Sequence, residues 1–203
     1  MNKILDIKQS EVCKKDSICD LAEANYTISY KVGEELWVNG ALQIGNSAID
    51  SFMMSYFDGL PLEKIAWGLI TTPEKWKLLT EIGREDQNIR YTTVADDISA
   101  LLVNHLTKIF KNYNKMPKLM LIVGHDFNIN SVTTSLGFKK WTEMPNQNEL
   151  YPIGGKIVFQ RWTDGKNDYL KVEYVYSNWS QLRDATKLSI ENPPERVVLR
   201  LTW

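Results

Sequence analysis

The run Leu119-Met120-Leu121-Ile122-Val123-Gly124, closing on His125-Asp126, limits what this chain can fold into more than any other stretch. Continuous Leu, Ile and Val without alternation suits a sheet covered on both faces, so residues 119–124 are expected to form a buried strand. Phe127 to Leu136 then reads as a short helix stopped by Gly137. A strand delivering His and Asp to the mouth of a helix places both at the carboxyl edge of an α/β sheet. Ligands bind at that edge, and helix N-termini favour anions. The plainer reading is an Asp that caps the helix beside a satisfied His.

At 203 residues the chain can hold one domain, or one plus a lobe. Its apolar content of 43% supports a core, yet no window approaches a membrane span. The net charge of −1 points to neither nucleic acid nor an acidic membrane surface. Met1 to Lys8 has no apolar h-region, so no export signal is expected here. Cys13 and Cys19 are too few thiols for a four-ligand zinc site, and their spacing is not the redox Cys-x-x-Cys. A small-loop disulfide is preferred over two unpaired thiols, and it would require an oxidising compartment.

Residues 1–45 read as irregular apart from a strand or hairpin around Tyr26 to Tyr30. Gly45-Asn46-Ser47, with Asp50 three residues past Ser47, resembles a capping box and predicts a helix from Ser47 to Phe57. Leu62 to Trp67 reads as a helical turn, and Pro73 opens a helix expected to reach Ile82. A long helix is predicted over 93–111, with Val94, Ile98, Leu101, Leu102, Leu106 and Ile109 as its apolar stripe. Residues 156–162 and 169–176 form a predicted hairpin about Thr163-Asp-Gly-Lys-Asn-Asp168. Residues 196–203 read as one more strand. The seven tryptophans are expected mostly in the core or at a lobe interface.

One ordered series of motifs runs through these elements. It comprises Gly45-Asn-Ser47 leading to Asp50, Tyr56-Phe-Asp-Gly59, Ala66-Trp-Gly68 and Val123-Gly-His-Asp-Phe-Asn-Ile129. It continues through Pro152-Ile-Gly-Gly-Lys-Ile-Val-Phe-Gln-Arg-Trp162, Glu173-Tyr-Val-Tyr176, Gln181-Leu-Arg183 and Pro193-Pro194. The series resembles the C-terminal half of the bacterial histidine acid phosphatases, with sugar-phosphate phosphatases nearest and phytases next. The resemblance implies an α/β fold, the C-terminal part of a phosphoglycerate-mutase-like three-layer sheet with part of a helical lobe. Residues 1–90 would belong to the lobe and 91–203 to the phosphatase domain. It also implies a Cys13–Cys19 disulfide, a periplasmic location, and no cofactor or metal.

By the same resemblance Asp126 is the general acid, and His125 binds a phosphoryl oxygen. Asp50 and Asp58 meet the hydroxyls of a sugar-phosphate substrate; their plainer roles are a helix cap and a helix-end turn. Gly154-Gly155 reads as a tight turn before a strand. The family's nucleophilic histidine sits in Arg-His-Gly-x-Arg-x-Pro, and these residues contain no such motif. A second phosphate-binding arginine and a late cysteine pair also lack counterparts. His105, the only other histidine, reads as a half-buried packing residue of the long helix rather than a replacement nucleophile. The expected partners are a phosphomonoester and either the missing N-terminal half or a second copy, with no nucleic acid and no membrane. The alternative is a non-catalytic remnant that binds phosphate or sugar.

Overall fold

A computed structural model describes residues 1–34, 36–139 and 144–201. After a short helix α1 (Glu11–Asp16), strands β1 (Tyr26–Ser29) and β2 (Trp37–Gly40) pair antiparallel, with Tyr26 opposite Gly40. Cys13 and Cys19 are joined in a disulfide. Gly40 ends β2 with φ of +96°, and a side chain there would strike the Asn25 carbonyl at 2.8 Å. That turn starts helix α2 (Ala41–Phe57) six residues before Ser47, counting from Ala41. Ser47 is therefore mid-helix, where its carbonyl accepts from the Ser51 hydroxyl, and the expected capping box does not form.

Helix α3 (Pro73–Thr93) runs well past Ile82. Gly83 does not stop it, because that glycine lies against α2, with its Cβ position 3.3 Å from Asn46 Oδ1. Gly45 mirrors this with Ile82 at 3.2 Å, so small residues here bring two helices close rather than mark an end. The buried Arg90–Asp86 pair (Nε–Oδ2 2.6 Å) extends the junction, since Arg90 also donates to the Leu36 and Val38 carbonyls of the β2 region. Val94 separates α3 from helix α4 (Ala95–Lys111).

Helix α5 (Asp126–Ser135) packs between α3 and α4. Strands β3 (Lys156–Thr163), β4 (Asp168–Tyr176) and β5 (Glu195–Val198) make an antiparallel sheet with β4 in the middle. The β3–β4 hairpin forms as expected, Thr163 facing Asp168. Asp164 holds its turn by accepting the N–H groups of Lys166 and Asn167 and the Tyr169 hydroxyl, which keeps its carboxyl down at about 2. β5 is shorter than the predicted strand, although Leu201 still bridges to Phe138; residues 202–203 lie outside the described ones.

Two apolar centres result. One gathers Leu150, Tyr151, Val172, Tyr174 and Tyr176 under the sheet. The other gathers Ile49, Ile65, Ile70, Trp76 and Leu79 among the helices. Trp179, on the short helix α6 (Trp179–Arg183), stacks on Tyr56 at 5.0 Å and packs against this second centre. Of the other tryptophans, Trp76 is buried while Trp37, Trp67 and Trp162 are exposed; Trp141 and Trp203 lie outside the described residues.

The largest departure from expectation is the run 119–124. It pairs with no strand among the described residues, and Leu119, Leu121 and Val123 are 87%, 82% and 88% exposed. A strand of this composition needs neighbours on both edges and layers on both faces, and the described residues supply neither. The stripe of α4 shares the deficit: Leu101 is 87% exposed, and only Ala95 and Ser99 of that helix are buried. His105 is likewise exposed rather than half-buried.

Candidate active site

The site is assembled around the first turn of α5. Gly124 leaves room there, since a Cβ would meet Asn128 Oδ1 at 2.8 Å, and that oxygen accepts the His125 N–H at 2.8 Å. The cap fixes the chain direction as it enters the helix and turns His125 and Asp126 side by side. His125 Nδ1 lies 3.2 Å from Asp126 Oδ1, and its ring stacks on Phe127 with centroids 5.8 Å apart. The imidazole is otherwise open to solvent, and its Nε2 is available to a ligand.

Asp126 is held at both oxygens. Oδ1 accepts the Phe127 N–H at 2.8 Å, and Oδ2 accepts Gln87 Nε2 at 2.9 Å. Gln87 comes from the part of α3 beyond the expected helix end, so the sequence carried no local sign of it. The N-terminus of α5 also favours negative charge at Asp126 and near it.

Asp50 reaches the same region from α2. Its carboxyl is pushed up first by desolvation and then by the charge of Asp126, which places the two within electrostatic reach. Asp58 caps the end of the same helix, exposed, its N–H donating to Met54 O. It lies eight positions beyond Asp50, about 12 Å along the helix axis.

The loop before β3 adds groups that sequence reasoning missed. Glu149 is pushed up to about 8, by burial first and then by Asp50 and Asp126. Burial also raises the Tyr151 and Tyr174 phenols, each within reach of the Asp126 charge. Gly154 has φ of +74° and the Gly155 N–H donates to Pro152 O, the tight turn expected. Gly155 is also a packing site, because a Cβ there would lie 2.4 Å from the Tyr174 hydroxyl. Gly155→Ala is therefore expected to destabilise the protein by about 1–3 kcal/mol through overpacking. Urea denaturation checks this: the midpoint falls and the slope stays the same.

Among the described residues no group of His, Cys, Asp and Glu is arranged to hold a metal ion, and no helix is long and apolar enough to cross a membrane. An acid and an imidazole at a helix N-terminus, with carboxyls from α2 and the 144–155 loop beside them, define a candidate anion and proton-transfer site. No family model matches the chain. Its architecture is nevertheless shared with solved phytases: that of Citrobacter braakii superposes with a TM-score of 0.84 at 27% identity, covering 98% of this chain and 52% of the phytase. The fold is thus that of the histidine acid phosphatases.

Within that fold the sequence is similar to glucose-1-phosphatases and, at lower identity, to phytases. It is 40% identical to glucose-1-phosphatase of Providencia rettgeri over 207 aligned residues and 27% identical to phytase AppA of Escherichia coli K12 over 218. Both alignments take in 99% of this chain, yet it spans only about half the length of these curated relatives.

Proposed function

We propose that this chain is the acid-donating half of a periplasmic histidine acid phosphatase acting on a sugar phosphate. The observation that carries the reading is the Asp126 carboxyl, fixed by Gln87 and Phe127 next to an open imidazole at a helix N-terminus. In the reaction a histidine nucleophile attacks phosphorus and the leaving alkoxide takes a proton from Asp126, which splits one hard displacement into two easier ones. His125 donates to a phosphoryl oxygen, and Asp50 accepts from a sugar hydroxyl. Asp58 stands farther off and would meet only the outer part of a substrate.

The nucleophile is to come from a complementary half bearing the Arg-His-Gly motif, whose strands would also cover residues 119–124. The test is turnover of glucose 1-phosphate and p-nitrophenyl phosphate at about pH 5, where carboxylic acids keep part of their protons. Activity on mixing the halves, and not with this chain alone, supports the reading. Binding of glucose 1-phosphate without turnover in the mixture favours the alternative, a binding module. Activity of this chain alone that disappears in His105→Ala contradicts it.

The exposed run predicts association in the absence of that half, because unpaired apolar strands recruit other edges. Sedimentation velocity should show concentration-dependent oligomers for the chain as it stands. Leu121→Lys with Val123→Lys should shift it to monomer, since charges on an edge block pairing. Identical sedimentation of both proteins contradicts this expectation.

A further inference from the structure

Glu149 has no part in the mechanism above, yet it is a confined carboxyl on the loop beside the site. Its backbone is pinned on both sides. Gln147 Oε1 accepts the N–H groups of Asn148 and Glu149 at 2.8 and 3.1 Å, while Gln147 Nε2 donates to Ser177 O at 3.0 Å. Arg84 Nε donates to Asn148 O at 2.8 Å from α3. Leu150 and Tyr151, next in the chain, are buried in the apolar centre under the sheet. The loop that carries Glu149 is thus held in place, and the residue itself is half-buried.

Glu149 Oε2 is sealed from solvent and has no hydrogen-bond partner among the described residues. A sealed oxygen with no donor tolerates a neutral carboxylic acid far better than a carboxylate. The groups facing it are Asp50 from α2, Asp126 from α5 and the Tyr174 phenol from β4, with Tyr151 on its own loop. Arg84 donates to the Asn148 carbonyl beside it. Two carboxyls and a neutral phenol thus surround Glu149 beside the place where a dianion is to bind.

We propose that Glu149 sets the charge of the anion site: protonated, it admits a phosphate dianion beside His125 and Asp126, and ionised, it expels the dianion. The inference rests on the phosphate-site reading above and deepens it by assigning its pH limit. It assigns Glu149 no bond-making step. Its only change is gain or loss of one proton at the carboxyl, exchanged with solvent. Above the carboxyl's midpoint, anion binding then takes up one proton. The elevated titration of Glu149, at about 8, agrees with this role and marks where the change falls.

Sulfate is a suitable probe because it stays a dianion throughout, so any pH dependence belongs to the protein. Its affinity for the purified chain is to be measured by NMR titration from about pH 6 to 10, with wild type and Glu149→Gln. Beyond about pH 8 wild-type affinity should weaken about tenfold per pH unit, whereas the glutamine variant should lose none of its affinity over the same range. A flat wild-type profile, or an unchanged profile in the variant, overturns the inference and leaves the phosphate site standing. No sulfate binding at any pH overturns both. The carboxyl carbon of Glu149, followed in the same samples, is expected to titrate near its raised midpoint; titration at the ordinary value near 4.5 overturns the inference whatever the binding shows.

Discussion

Asparagine at position 126 should lower turnover of glucose 1-phosphate by about 10²–10⁴, the usual contribution of a positioned general acid. The substitution keeps size and shape. Its amide oxygen can still accept the Phe127 N–H, and a flip of the Gln87 amide restores the bond now made to Oδ2. What disappears is the transferable proton. The loss should depend on the leaving group: large for a sugar alkoxide, which needs protonation to depart, and much smaller for p-nitrophenolate, which does not. The measurement is kcat for both substrates in the reconstituted enzyme. Equal losses on the two would mean that Asp126 positions phosphate rather than donating a proton.

A second large effect concerns stability. Glu149 titrates at about 8 in the folded protein against 4.5 ordinarily. Between those values the folded chain holds a proton that the unfolded chain has released, so stability falls as pH rises, by about 1.4 kcal/mol per unit. The contribution is complete below the unfolded value and lost as pH passes the folded one, up to about 5 kcal/mol in all. Asp50, shifted the same way, adds to the slope. Urea unfolding at several pH values between about 5 and 8 should show the wild type weakening steadily. Glu149→Gln should lose most of that slope while remaining folded. Parallel lines for the two proteins would show that Glu149 ionises freely.

Local chemistry made part of this molecule legible in advance. The Asp164–Gly165 turn, the extent of α4 and the Gly137 stop after α5 are each decided within a few residues, and each appears where expected or close to it. The errors have a common cause, contact with something distant in the chain. Gly83 reads locally as a helix end, but across space it is the residue small enough to sit against Asn46. Ser47 reads as a cap, but the helix had already begun at the turn forced by Gly40. Gln87 and Glu149 sit in segments with no motif of their own. They enter the site only because α3 and the 144–155 loop fold back on α5.

The His-Asp pair, its helix and the family resemblance were determined by the sequence alone, because neighbouring residues and ordered motifs carry them. Tertiary structure alone decided that the charges of Asp50 and Glu149 lie within reach of Asp126, and that the run 119–124 is bare. Burial and electrostatic repulsion depend on what lies across space. An apolar hexapeptide specifies its need for cover, and only the assembled molecule shows whether the cover is there.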